Sequence, residues 1–213
     1  METFDKNLLT CIQKPESMPY SQIFEIMRKA QDANPSVEYT TRNITEQEVM
    51  DEMRGGGCTF VAFYDGQPVG TVSIFIAESK RPKWYVTGKR AVCRHLAVLP
   101  EYSGNGIASK LTLMPLEWAW ENGVQVILWD AAYNNFGSIA TAKKVKFRKV
   151  EYIKYKNINH PTVRLAYWLT DDQPSSVKCY YHFVRSKAII YLRAIKKGIL
   201  KRFTGVRNRG KET

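Results

Sequence analysis

The order of elements along the chain predicts a mixed α/β fold built in layers, a central sheet flanked by helices. Three observations carry that expectation. Residues 59–76 read as a hairpin of apolar, β-branched strands. Residues 91–121 change from strand character to helical spacing across a turn containing two glycines. Two further strand-like segments, at 147–155 and 163–169, close the region before a polar break.

The first helix is expected over Ser21–Ala33, where Ile23, Ile26, Met27 and Ala30 share one face and Asn34-Pro35 stops the run. The second follows Thr45-Glu46-Gln47-Glu48, a capping-box pattern. Its apolar members are Val49, Met50 and Met53, and Gly55-Gly56-Gly57 ends it. Thr59–Tyr64 and Val69–Ile76 then pair through Asp65-Gly66-Gln67-Pro68. Ser79–Lys89 is a basic loop holding Trp84 and Tyr85. Ala91–Val98 is a strand and Gly104–Glu121 a helix, with a kink or break expected at Pro115. After Asn122-Gly123 come a strand at Val124–Trp129, a short helix at Ser138–Lys144 and the two closing strands. The chain thus divides, by expectation, into a body at 1–170 and a C-terminal extension at 171–213.

The composition narrows the function. The 213 residues carry a net charge of +12, with 44% hydrophobic residues; that is globular usage, not disorder. No apolar run is long enough to span a bilayer, and the first residues lack a basic and apolar leader pattern, so neither a membrane span nor a signal peptide is expected. Cys11, Cys58, Cys93 and Cys179 are widely spaced, which argues against a zinc site and a disulfide framework and favours a reducing, cytoplasmic setting. The charge is uneven. From Val177 onward there are eleven Lys/Arg and one acid, Glu212, whereas the remainder is nearly balanced.

Chemistry concentrates in Arg94–Lys110, RHLAVLPEYSGNGIASK. A strand ends at Val98, a turn comes next, then two glycines open a helix. The first N–H groups of a helix have no carbonyl within the helix. Glycines there let an anion approach the main chain, and the helix dipole favours its charge. Ser103, Gly104, Asn105, Gly106, Ile107, Ala108 and Ser109 therefore form a candidate diphosphate seat. A plain packing turn is the alternative reading of this segment taken alone. A dinucleotide site fits less well: Leu99–Ser103 separates strand from glycine, Ser109 holds the third glycine position, and the motif follows a hairpin. A Walker A loop is absent.

The stretch Leu96–Leu111 resembles the acetyl-CoA-binding segment of the GCN5-related N-acetyltransferase (GNAT) family, in which an apolar strand and V-x-P-x-Y precede R/Q-G-x-G-x-G/A. Ile127–Asn135 resembles the next family strand with its asparagine, and the distance from Asn135 to Phe147 matches the family's closing segment. The resemblance covers roughly residues 20–170. It implies a mostly antiparallel sheet flanked by helices and direct acetyl transfer from acetyl-CoA to an amine, a small molecule or a protein N-terminus. It further implies that Leu96, Ala97 and Val98 hold the pantetheine, that the Val98 N–H polarises the thioester, and that Asn135 lines the cofactor. Three positions depart from the pattern: Ser103 replaces Arg or Gln, Lys146 replaces the glycine before Phe147, and Ala142 stands where many members carry a tyrosine that protonates the leaving thiolate. Asn135-Phe136-Gly137-Ser138 offers Ser138 as a substitute acid.

The amine must lose a proton, and His95 and Asp130 are the candidate bases. In the alternative reading His95 packs within its strand and Asp130 caps its own. Tyr133 is a further candidate acid. Cys93 is expected to pack, since direct transfer needs no nucleophilic thiol. His160 and His182 have no partner at ligand spacing, so no metal is expected. A catalytically lapsed acyl-CoA-binding or basic interaction module on the same fold is the alternative function. In the basic extension, Val184, Ala188, Tyr191, Leu192, Ile195 and Ile199 fall on one helical face, interrupted by Ile189, Ile190 and Leu200. That stripe suits packing on the body or in a homodimer; the charge suits an anionic surface, membrane or RNA.

Overall fold

The computed structural model of the protein describes residues 4–37, 39, 44–54, 56–77, 83–85, 88–155, 160–171 and 173–209, with side chains through residue 196. Gly55, Asp172, much of the basic loop (78–82 and 86–87) and the side chains of Ile199 and Leu200 lie outside the described residues. Among the described residues seven strands form one sheet in the order β1-β2-β3-β4-β5-β7-β6. They are β1 (Leu9–Gln13), β2 (Gly57–Tyr64), β3 (Gln67–Ile76), β4 (Arg90–Val98), β5 (Val126–Ala132), β6 (Arg148–Ile153) and β7 (Thr162–Trp168). All neighbours are antiparallel except β4 and β5. The helices are α1 (Tyr20–Asp32), α2 (Glu46–Arg54), α3 (Ile107–Glu121), α4 (Phe136–Lys144) and α5 (Ser176–Arg209).

Local chemistry accounts for the boundaries. The capping box is reciprocal: Thr45 N donates to Glu48 Oε2 at 2.7 Å and Glu48 N to Thr45 Oγ1 at 3.2 Å. Asp65 and Gly66 both have positive φ, 47° and 73°, giving β2 and β3 the mirror-image turn that matches their twist. Of the kink or break expected at Pro115, no break occurs: helix α3 continues from Ile107 to Glu121 with the proline inside it. Ile107, Leu111, Thr112, Pro115 and Ala119 form its buried face, so the ring contributes packing where a hydrogen bond is lost.

Alternation along the strands feeds the two faces of the sheet. One carries Phe60, Ala62, Cys93, Ile127 and Trp129 against Ile107 and Leu111 of α3 and Ile139 of α4. The other carries Val61 and Ala97 against Ile23, Ile26 and Met27 of α1 and Val49 of α2. Further along that second face, Val92, Leu128, Val150 and Trp168 pack with Tyr85 and with Cys179 of α5.

Of the apolar stripe of α5, Tyr191 stacks on Tyr152 of β6, and the helix is otherwise held to the body by residues outside the stripe. Cys179 is buried with Val150 and Trp168, while Phe183 and Ile190 reach the cluster that holds Tyr152 on the opposite face. The helix therefore crosses β6, the edge strand, and Ser186 Oγ accepts the Tyr152 N–H at 2.8 Å. Ile190, which spoils the stripe in the sequence, faces the protein. The stripe residues Val184, Tyr191, Leu192 and Ile195 are exposed.

Candidate functional site

Strands β4 and β5 pair in parallel from Arg90–Val126 to Cys93–Trp129, and the pairing stops there. Beyond that point Asp130, Ala131 and Ala132 pair only with β7, and Arg94 and Ala97 only with β3. The two strands diverge and leave one edge of β4 open. The register of β3 on β4 also slips: Ser73 faces Arg94 and Thr71 faces Ala97, so His95 and Leu96 together oppose Val72. His95 absorbs this bulge with φ of 57°, a conformation unusual for a non-glycine residue. Leu99 N donates to Val69 O on the β3 side at 2.8 Å. Alternation then directs the Val98 N–H to the open side.

The cleft between the diverging strands is a cavity of about 230 Å³. His95, Leu96, Ala97, Val98, Ser103 and Ala108 line it from β4 and the start of α3, and Asn135 and Ser138 from α4. Residues of α1 and the segment after it, among them Met27, Gln31 and Tyr39, supply the other wall. A smaller, contiguous recess shares His95, Leu96, Tyr39, Asn135 and Ser138 and adds Asp130 and Trp129. A larger cavity, about 940 Å³, lies between β6 and α5 and shares no lining residue with this cleft.

At the entrance to α3, Gly104 and Gly106 have φ of 85° and 81°, and nothing lies within 4 Å of the place where either would carry a Cβ. The left-handed backbone favours glycine, and the space above it is open. Asn105 Nδ2 donates to Tyr102 O at 3.1 Å and braces the turn. Lys110 N reaches the Gly106 carbonyl at 3.1 Å, so the earlier N–H groups, of Ile107, Ala108 and Ser109, precede the first helical bond. A diphosphate fits this seat by geometry and by charge.

His95 is buried, with Nε2 3.2 Å from Glu52 Oε2 on α2. That contact is at ion-pair distance without hydrogen-bond alignment, and Nδ1 has no hydrogen-bond partner among the described residues. The Glu52 carboxylate also takes an ion pair from Arg94. Burial opposes its charge, but the contact with His95 and the charge of Arg94 prevail, and its pKa lies below the ordinary value. Glu52 is absent from the sequence-based candidates: it reads there as a polar position of an amphipathic helix.

Asn135 caps α4, its side-chain oxygen accepting the Ser138 N–H at 3.0 Å. Ser138 Oγ accepts the Trp129 indole N–H at 3.0 Å. Indole nitrogen is a donor only, so the hydroxyl proton of Ser138 remains for another acceptor. Asp130 is differently placed. Arg164 Nε donates to its Oδ1 at 2.7 Å, and Arg164 and Tyr155 donate to its Oδ2 at 2.6 and 2.7 Å. Its side chain is 6% exposed. Tyr133 is exposed, Ala142 is buried, and burial raises the Cys93 thiol far above its usual range. His182 stacks on Trp84 with centroids 4.2 Å apart. Among the described residues no group of three or more His, Cys, Asp and Glu is placed to hold a metal ion.

The family model of the acetyltransferase (GNAT) family matches residues 22–147, which include β4, the glycine turn, α3, β5 and α4. The chain belongs to the GNAT acetyltransferase family. Solved structures agree in fold. A GNAT family acetyltransferase from Elizabethkingia anophelis with acetyl-CoA bound is 14% identical, with a TM-score of 0.55, and the match covers 77% of this chain and 100% of that one. An N-acyl amino acid synthase, FeeM, from uncultured soil microbes is 16% identical at a TM-score of 0.58, covering 84% and 97%. A chain of the NatC complex bound to Gag peptide and CoA is 17% identical at 0.57, covering 76% and 99%. The comparison with curated proteins gives no match. Set against the family's helix-start pattern, the turn of this GNAT chain has Ser103 where Arg or Gln is usual.

Proposed function

We propose that the protein transfers an acetyl group directly from acetyl-CoA to an amine. The observation that carries this reading is the meeting of three features in one cleft: an open β4 edge, a left-handed glycine seat at the start of α3, and a buried histidine backed by an ionised carboxylate. The diphosphate rests on the N–H groups at Ser103–Ser109. The pantetheine runs along Leu96–Val98, adding in effect a strand to the open edge. The Val98 N–H then points at the thioester oxygen as a preorganised donor.

In this reading the neutral amine nitrogen attacks the carbonyl carbon and a tetrahedral intermediate forms. The C–S bond breaks, and the thiolate takes a proton from solvent relayed through the Ser138 hydroxyl, so that the serine gives up one proton, takes another and ends protonated. His95 accepts the proton released by the amine, and Glu52 stabilises the imidazolium that results. Asp130 serves as a positioning residue, since Arg164 and Tyr155 occupy both its oxygens; it fixes the end of β5 beside the cleft. The family relationship and the acetyl-CoA bound by the Elizabethkingia anophelis enzyme support the choice of cofactor. The acceptor class extends from small amines to peptide N-termini, the latter suggested by the peptide and CoA in the NatC complex. No helix among the described residues is long and apolar enough to cross a membrane, and the proposed setting is the cytoplasm.

The test is turnover of acetyl-CoA with a panel of small amines and peptides, beside calorimetric binding of CoA. Acetylated product at one acceptor supports the reading. Binding of CoA with no product across the panel favours the lapsed binding module, for which buried Ala142 at the family's tyrosine position is the specific argument. Gly106→Glu puts a side chain and a negative charge into the open seat; undiminished CoA affinity in that folded variant would remove the seat itself.

A further inference from the structure

We infer that the exposed face of α5 is a docking surface for an anionic lipid bilayer, with the helix lying in the membrane interface. None of the residues involved lines the cleft, so this surface is independent of acetyl transfer.

A helix turns about 100° per residue, so α5 presents distinct faces. One, with Cys179, Phe183, Ser186 and Ile190, faces the protein across β6. A second, with Val177, Tyr181, Val184, Leu192 and Ile195, recurs at helical spacing and faces water; its exposures run from 44% at Val184 to 79% at Val177. Aliphatic side chains in a continuous exposed row mark an interaction surface. Exposed cations flank the row: Arg185 and Lys196 on one side, Lys196 at the rim of the β6–α5 cavity, and Lys187 on the other, its ammonium over the Tyr152 and Tyr191 rings. The sequence from Ser176 to Arg209 contains no Asp or Glu, and Lys197, Lys201, Arg202, Arg207, Arg209 and Lys211 continue the charge.

This combination selects among occupants. A second copy of α5 would cover the aliphatic row but set like charges against each other, with no acid on either helix to pair them. RNA would neutralise the cations but leave Val184, Leu192 and Ile195 in water. An anionic bilayer satisfies both: the row enters the headgroup boundary and the flanking cations meet lipid phosphates. Tyr180 and Tyr181 are exposed amphipathic rings suited to that depth. The helix lies on the surface; no span is long and apolar enough to cross among the described residues.

The experiment is flotation of the full chain with vesicles of phosphatidylcholine alone and of equimolar phosphatidylcholine and phosphatidylglycerol, at rising salt. Binding is expected only to the second, weakening with salt. Each of Arg185→Glu and Lys196→Glu should lower partitioning about fivefold or more. The combined Val184→Ser, Leu192→Ser and Ile195→Ser variant should lose at least roughly tenfold through lost apolar insertion. Circular dichroism and CoA affinity should stay unchanged in both sets, since the substituted positions are exposed. Equal flotation with both vesicle types, no flotation with either, or serine-variant binding equal to that of the parent would overturn the inference. So would a dimer of the parent chain that the serine variant dissolves, or RNA binding in place of vesicle binding.

Discussion

The Glu52 carboxylate stays ionised against its own burial because His95 and Arg94 face it, and this governs what His95 can do in the cleft. A carboxylate whose folded pKa is depressed contributes stability that is present above its ordinary value and lost as pH falls through the folded one. Acidification below the ordinary carboxylate range should therefore destabilise the parent more than Glu52→Gln, which carries no such group; thermal melts across an acid series measure this. In turnover, His95→Gln should lower kcat by about 100-fold or more if His95 takes the amine proton. Glu52→Gln should keep CoA affinity and lower kcat by about tenfold, because the imidazolium formed on His95 loses the counter-charge that stabilises it. An unaltered kcat in Glu52→Gln would deny the pair a catalytic role. Ser138→Ala should lower kcat on the order of tenfold, the worth of one hydrogen bond, with acetyl-CoA binding retained.

Elements differ in how far they could be read before folding. The β2–β3 hairpin, β4, the glycine turn and α3 carry strong local signals, apolar alternation and glycines where a left-handed backbone is required, and they form where the pattern puts them, with α3 continuous through Pro115. Strand β1, Leu-Thr-Cys-Ile-Gln, is short and lies at the sheet edge with one buried residue, Leu9; nothing in its own sequence separates it from a loop, and only β2 makes it a strand. Of the cleft, the glycine seat and the β4 edge were legible, as were Asn135 and Ser138. Glu52 was not, because its partner Arg94 is 42 residues away and no local periodicity encodes that meeting. The His95 bulge was equally hidden, arising from the register of β3 on β4. Helix α2 holds Glu52 in place, and its start depends on the Thr45–Glu48 capping box. Thr45→Ala should cost about 1 kcal/mol in urea denaturation; no change would mean that packing through Val49 and Met53 alone fixes the helix.

For the whole molecule, the polar break near residue 171 suggests a boundary, and α5 beyond it packs on the sheet. Up to Ile190 the helix contributes to both faces of the sheet's end: Cys179 beside Val150 and Trp168, Phe183 and Ile190 beside Tyr152, Ser186 on the Tyr152 N–H. His182 covers Trp84, and Arg148 reaches across to the Pro174 carbonyl at 2.7 Å. Removing all of this would bare β6 as an unprotected sheet edge with an apolar face on either side, the arrangement that pairs with other chains. Removing only the residues beyond Lys196 would keep every contact named above. A chain ending at residue 170 should therefore lose several kcal/mol of stability, since each large apolar side chain kept from water is worth roughly 1.5–3 kcal/mol when fully buried, and it should aggregate. A chain ending at residue 196 should match the parent in thermal stability and CoA affinity while binding anionic vesicles less tightly, because Lys197 and the basic residues after it are gone. Equal stability of both truncations would make the whole extension an appendage; a 1–196 chain that melts well below the parent would mean that the distal helix belongs to the fold.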